Sequence, residues 1–269
     1  MPMDAMQQLR IALWQCQPRT DDVPRAIADL ADRASVAAAE GARLLICPEM
    51  YLSGYHIDSA TARRLAQPAD GEWARQIGAV ARDTNIALLY GFPELAGDGT
   101  VYNAVRLVGN NGVTVAVHRK THLFGEIDRA AVTASDRRPT VFHFEGWRLA
   151  LLICYEVEFP EVVRRLAVAG ADLVCVPTAN MPDYDAVQRV LIPARAFENQ
   201  VYVAYANFCG TERGLDYGGL SLIAGPSGAT VVEAGTAEGM IVGDLDKAAL
   251  RRSRHMNPYL AERRPELYD

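Results

Sequence analysis

Short apolar runs closed by glycine, proline or charged turns alternate along this chain with longer segments whose apolar positions recur three or four residues apart. Ile11 to Cys16 predicts a first strand. Val23 to Glu40 predicts an alanine-rich helix with Ile27, Leu30, Ala34 and Ala38 on one face, ended by Gly41. Leu44 to Cys47 predicts a second strand stopped by Pro48, Gly71 to Asp83 a helix, and Ile86 to Tyr90 a third strand. Val101 to Val108 and Val113 to Val117 flank Gly109-Asn110-Asn111-Gly112, a hairpin signal.

The second half repeats this grammar. Trp147 to Ile153 predicts a strand, Pro160 to Ala169 a helix, and Ala171 to Val176 a strand stopped by Pro177. Ala186 to Asn199 predicts a helix and Val201 to Ala206 a strand. Leu220 to Ala224 and Val231 to Glu233 flank a second turn, Gly225-Pro226-Ser227-Gly228, and Met240 to Leu245 predicts a last strand before a helix and an irregular tail. A pair of helices covers only one side of a mixed sheet. If the opposite apolar faces pack on each other, the result is an α/β fold of four layers, helix–sheet–sheet–helix. Alternation disfavours an all-α or all-β domain but leaves an ordinary three-layer α/β fold as a competitor. Leu44-Leu45-Ile46-Cys47-Pro48-Glu49 also echoes Leu151-Leu152-Ile153-Cys154-Tyr155-Glu156, and a pseudo-twofold would bring those strand ends together.

Composition narrows the function. The chain has 269 residues, half of them apolar, with no low-complexity linker, so one domain spanning 1–269 with a short C-terminal extension is expected. Lys and Arg total 27 against 33 Asp and Glu, a charge of -6 that offers no general attraction to nucleic acid or an anionic membrane. No apolar stretch approaches membrane-spanning length, and Met1 to Arg10 lacks a secretory signal's apolar core. The five cysteines are scattered without a CxxC pair, which suggests a reducing compartment, the cytoplasm.

Three segments place ionisable residues where strands give way to loops: Glu49 after Cys47-Pro48, Lys120 in Val117-His118-Arg119-Lys120-Thr121-His122, and Cys154 before Tyr155-Glu156. A thiol needs a neighbouring cation or a paired base to hold or generate the thiolate at neutral pH. A glutamate in reach can take the thiol proton, return it to a leaving nitrogen and then activate water. A lysine and the Tyr155 N–H can hold the developing oxyanion. Each residue also has a plainer role. Cys154 is a candidate core thiol, Glu49 a solvated loop carboxylate, and Lys120 a protective charge on a strand edge. Glu126 caps a turn, pairs with Arg129, or orients substrate and Lys120. His118 and His122 are alternative bases for a Cys–His pair. His56, His143 and His255 are scattered, with no metal-binding spacing, and the glycine-rich turns match no nucleotide fingerprint. No metal or cofactor is therefore expected.

These segments together resemble the carbon–nitrogen hydrolase (nitrilase) superfamily. The likeness runs through Pro48-Glu49-Met50 with Gly54-Tyr55, Arg119-Lys120-Thr121-His122-Leu123-Phe124, and Cys154-Tyr155-Glu156 with Phe159-Pro160-Glu161. It continues through Gly170-Ala171-Asp172-Leu173, Pro177-Thr178-Ala179-Asn180, Arg195-Ala196, Glu198-Asn199 and Gly225-Pro226-Ser227-Gly228. The resemblance implies a cofactor-free hydrolase with the four-layer α–β–β–α sandwich, in which Glu49, Lys120 and Cys154 are base, lysine and nucleophile. It implies Glu126 as an additional supporting glutamate, and a homodimer packed through the helix after Cys154 and the helix from Ala186 to Asn199.

Within the superfamily the likeness points to amidases acting on small-molecule amides, including bacterial enzymes selective for R-configured carboxamides. N-carbamoyl amine hydrolysis, nitrile hydrolysis and a non-enzymatic scaffold are the alternatives. Tyr55, Tyr155 and Asn180 are candidate substrate contacts because they lie near strand ends, although both tyrosines would equally serve to close the core. No basic pair marks a carboxylate pocket unless Arg129, Arg189 or Arg195 reaches the cleft.

Overall fold

Along the first strand, β1 (Gln8–Gln15), alternate side chains enter two different cores, Ile11 and Leu13 on one face and Ala12 and Trp14 on the other. This division recurs through the computed structural model, which describes residues 7–268. The strands that follow are β2 (Leu44–Ile46), β3 (Ala87–Leu95), β4 (Val101–Val108), β5 (Thr114–Arg119), β6 (Val141–Phe144), β7 (Trp147–Leu151), β8 (Leu173–Thr178) and β9 (Tyr202–Asn207). After a ribbon of β10 (Cys209–Glu212) and β11 (Leu215–Gly218) come β12 (Leu222–Ala224), β13 (Thr230–Glu233) and β14 (Gly239–Asp246). One six-stranded sheet runs β14-β1-β2-β3-β4-β5 and the other β13-β12-β9-β8-β7-β6.

Helices α1 (Val23–Ala39) and α3 (Glu72–Thr84) cover the outer face of the first sheet. Between them lies the short α2 (Ser59–Leu65), and after β5 comes α4 (Gly125–Ala131). The second sheet is covered by α5 (Pro160–Val168) and α6 (Ile192–Asn199), while α7 (Lys247–Met256) closes the end of the inter-sheet core with Leu250. The inner faces meet through Ile11, Leu13, Leu44 and Ile46 from one sheet and Leu149, Leu151, Leu173 and Ala204 from the other. Four layers result, and the three-layer alternative is excluded.

Most predicted elements form within a few residues of their expected bounds, and both glycine-flanked turns connect antiparallel strands. The helix predicted from Ala186 is different. Val187–Leu191 winds as a wider π turn, and regular α geometry begins only at Ile192. Pro193 explains this, because it has no N–H to complete the regular ladder with the preceding turn.

The two sheets share one plan: an antiparallel edge strand, three parallel strands, then two antiparallel strands. Register fixes the equivalence. Ile11 pairs with Leu44, and Leu149 pairs with Leu173. Following each strand to the same depth aligns Cys154 with Cys16, and Glu49 with Thr178. The echo between Leu44–Glu49 and Leu151–Glu156 therefore joins the second strand of one half to the first strand of the other. The strand ends do converge at the middle of the sandwich, where the Glu49 N–H donates to the Thr178 carbonyl at 3.3 Å.

Gly91 on β3 makes room for this convergence. A Cβ there would lie 2.2 Å from the Met50 nitrogen and 2.8 Å from the Glu49 carbonyl carbon, both backbone atoms that cannot rotate away. Gly91→Ala is expected to destabilise the fold by about 1–3 kcal/mol and to displace Glu49. Denaturant unfolding and turnover, measured on the same preparation, check both effects.

Candidate active site

Glu49, Lys120 and Cys154 each stand just beyond a strand end, where the chain must turn. Cys154 opens a short 3₁₀ turn, Cys154–Glu158, with a left-handed backbone (φ 48°). Met50, directly after Glu49, is also left-handed (φ 50°). Non-glycine residues adopt this geometry at a cost that the surrounding structure must offset. Lys120 follows β5, its N–H bonded to the Asn103 carbonyl at 2.8 Å.

The Lys120 ammonium is fully buried and donates to Glu49 Oε1 at 2.7 Å and to Asp128 Oδ2 at 2.6 Å. Asn103 Nδ2 also donates to Glu49 Oε1, at 2.7 Å, whereas Glu49 Oε2 is buried without a partner among the described residues. An ammonium has three N–H donors, so these two bonds leave one without a partner among the described residues. The Tyr55 ring lies under the ammonium, 5.7 Å from Nζ.

The charges act on one another. Burial opposes the Lys120 ammonium, yet Glu49 and Asp128 together raise its pKa above the ordinary lysine value and keep it charged. Burial raises the Glu49 pKa and Asp128 adds to that rise, against the pull of Lys120 and Asn103. Burial and then Glu49 push the Cys154 thiol well above its usual value, while Lys120, the Thr178 hydroxyl and the Ala179 N–H act the other way. Burial disfavours a resting thiolate here, so an attack by this sulfur would call for a base to take its proton.

Glu126 does not join the cluster. Its side chain is 91 % exposed and meets Arg129 at 3.4 Å. Two residues along a helix turn through about 200°, so residues so spaced face opposite ways. Ile127 and Ala131 pack α4 against the core, which turns Asp128 inward and Glu126 outward. The position expected of Glu126 is thus held by Asp128, which also accepts from the Phe124 N–H at 2.7 Å. An apolar pair four residues apart flanking Asp128 was the available signal.

Glu156 is a second buried group absent from the expected set. It accepts from His118 Nε2, Thr121 N, Thr121 Oγ1 and Ile153 N. This bond occupies His118 Nε2, while His122 bonds Thr121 Oγ1 at 2.8 Å and packs on Phe159. Neither imidazole is arranged as a base for Cys154.

Tyr55 is buried beside the ammonium, Asn180 is buried, and Tyr155 is half-buried. Glu212 holds the loop bearing Tyr55 by accepting from the Tyr55 and His56 N–H groups at 3.1 and 2.9 Å. Asn180 Nδ2 donates to the Tyr184 carbonyl and to Gln188 Oε1, and its amide oxygen accepts no bond among the described residues. Tyr155 packs edge-on to Phe124 and Phe159, with centroids 5.5 and 4.9 Å away. Arg195 is committed to the Val157 and Glu158 carbonyls and to Glu198, while Arg129 and Arg189 pair with Glu126 and Asp185. Among the described residues, no group of three or more His, Cys, Asp or Glu is placed to hold a metal ion.

The chain belongs to the carbon–nitrogen hydrolase family, which matches residues 10–255, and is a cysteine-dependent hydrolase of that family. It is 47 % identical over 267 residues to a protein of Pseudomonas protegens named "Hydrolase in pqqF 5′ region", covering 99 % of this chain and 93 % of that one. An (R)-stereoselective amidase of Pseudomonas sp. is 35 % identical over 257 residues, covering 95 % of this chain and 92 % of its own. Among solved structures, an amidase from Nesterenkonia sp. superposes with a TM-score of 0.88 at 36 % identity, over 97 % of this chain and 95 % of the other. A form of that amidase with the acetamide moiety of fluoroacetamide added covalently at its active-site cysteine gives 0.84 at 34 % identity, over 99 % and 97 %.

Because Asp128 raises the Glu49 pKa, Asp128→Asn is expected to move the acid limb of the kcat/KM profile to lower pH, measured by hydrolysis across a pH series. Glu126→Ala is expected to leave that limb in place and stability within about 0.5 kcal/mol.

Proposed function

We propose that the protein is an amidase that converts small aliphatic or cyclic primary carboxamides to carboxylic acids and ammonia. The observation that carries this reading is the unpartnered Glu49 Oε2 beside a lysine that keeps one free N–H, both within electrostatic reach of the Cys154 thiol.

In this reading the thiol proton passes to Glu49 as sulfur attacks the carbonyl carbon of R–CO–NH2. The free Lys120 N–H and the Tyr155 backbone N–H hold the oxyanion; losing one such donor typically costs about 3–4 kcal/mol of transition-state stabilisation. Glu49 returns the proton to nitrogen, the C–N bond breaks and ammonia leaves. Water, deprotonated by Glu49, then attacks the thioester. The C–S bond breaks, R–COOH departs and the thiol regains its proton.

Tyr55, Tyr155 and Asn180 are the proposed substrate contacts. The free Asn180 oxygen suits the amide NH2 of the substrate, and the aromatic rings suit an apolar body. The Nesterenkonia amidase in complex with butyramide supports a short aliphatic acyl group. The commitment of Arg129, Arg189 and Arg195 to protein acceptors disfavours N-carbamoyl amino acids, whose carboxylate calls for a free cation.

We further infer a homodimer joined through α5 and α6, supported by the exposure of Val168 and Phe197. A single hydrolase domain with a short C-terminal extension fits this assembly. A cytoplasmic setting fits five buried cysteines that are all free. No helix among the described residues is long and apolar enough to cross a membrane.

Cys154→Ala is expected to lower ammonia release by roughly 10⁴-fold or more while changing stability by only about 1 kcal/mol. The assay is a panel of primary amides, including both enantiomers of chiral ones, with N-carbamoyl amines and nitriles as comparators. Full ammonia release by the variant would remove Cys154 from the mechanism. Carbon dioxide from the carbamoyl substrates, with no turnover of amides, would replace the amidase reading.

A further inference from the structure

The roles proposed for Cys154 and Lys120 require that two chain segments from different sheets meet at a fixed spacing. A single carboxylate lies between them. Glu156 has no exposed surface, and both of its oxygens are used. Oε1 accepts from the Thr121 N–H at 2.8 Å and from the Thr121 hydroxyl at 2.5 Å. Oε2 accepts from the Ile153 N–H at 2.7 Å and from His118 Nε2 at 2.8 Å.

These donors are the chain neighbours of the reactive residues. Ile153 immediately precedes Cys154, Thr121 immediately follows Lys120, and His118 lies two residues before it. Two of the four bonds are to backbone N–H groups, so the carboxylate grips the chain itself on both sides. Chain segments 35 residues apart are thereby held by one planar group.

The protonation of this cluster follows from its donors. Burial works against a charged Glu156, but His118 and Thr121 hold its carboxyl below the ordinary glutamate range. An ionised carboxylate accepts only, so His118 must carry a proton on Nε2. The imidazole serves here as a donor to Glu156.

We propose that Glu156 is a positioning residue, a strut that sets the distance between the Lys120 ammonium and the Cys154 thiol. Burial alone would be met by an apolar side chain of similar size. A bridge between the neighbours of two reactive groups makes the spacing of those groups depend on one carboxylate. Misplacement of a catalytic group by about 1 Å can lower a rate on the order of 100-fold.

The test compares wild type with Glu156→Gln, which keeps the shape but turns an N–H pair toward donors, and with Thr121→Val, which removes one hydroxyl donor and leaves the backbone bond. For Glu156→Gln the expected result is a kcat reduced on the order of 100-fold with KM within about threefold, and alkylation of Cys154 by iodoacetamide shifted to higher pH. Thr121→Val is expected to show the same pattern at several-fold size, with circular dichroism and melting close to wild type. Kinetics and alkylation profiles that overlay wild type in both folded variants would overturn the strut. So would a loss of kcat that merely tracks the unfolded fraction. If Glu156→Gln does not fold, Thr121→Val decides alone. Failure of wild type to hydrolyse amides would count against the amidase reading, whereas the alkylation profiles still report on the strut.

Discussion

An ammonium buried between two carboxylates is the constraint on which the rest of this structure depends. An uncompensated charge in a dry interior carries a penalty of several kcal/mol, so Lys120 can be buried only if its partners arrive with it. Glu49 comes from the turn after β2 and Asp128 from α4, a helix too short to be stable alone. The loop bearing Tyr55, pinned by Glu212, closes over the pair. Two negative groups facing one positive group leave an excess of negative charge. Burial raises the Glu49 pKa, and the excess charge from Asp128 adds to that rise.

Two similar half-sheets build the place where these groups meet, yet they build only one site. By strand register, the counterpart of Glu49 is Thr178 and that of Cys154 is Cys16. Thr178 stands beside the Cys154 sulfur, so one half's counterpart of Glu49 contacts the thiol. Cys16 is sealed by packing, with a pKa raised chiefly by burial. The strand plan shared by the two sheets supplies the converging strand ends. The left-handed turns at Met50 and Cys154 and the gap left by Gly91 then bring one member of each pair to the centre.

Much of this was legible from residue pattern. Short apolar runs marked the main strands, and terminal glycines and prolines marked where they stop. Glu49, Lys120 and Cys154 stood out because charged or nucleophilic residues followed apolar runs. Asp128 was hidden because α4 is a seven-residue helix, in which one residue of phase separates inward from outward. Glu126 was the more visible acid for that reason. The π turn before Ile192 depends on a missing donor at Pro193, which periodicity does not register. The fourfold use of Glu156 depends on contacts between sheets that no local spacing encodes.

A thiol whose pKa is raised by burial looks at first like a poor nucleophile, and under the proposed mechanism the cluster gives a physical reason why it need not be one. What governs attack is the cost of moving the proton from sulfur to its acceptor, not the value for sulfur alone. Each unit of difference between the two groups is worth about 1.4 kcal/mol. The surroundings that raise Cys154 also raise Glu49, and Asp128 raises Glu49 further, so the gap between donor and acceptor is narrower than burial of the thiol alone would make it. Lys120 meanwhile favours the anion on sulfur and keeps an N–H for the anion on oxygen. A standing thiolate is therefore unnecessary. In the proposed reaction the proton moves as sulfur attacks the carbonyl carbon, and it moves to a glutamate that holds it ready for the departing nitrogen.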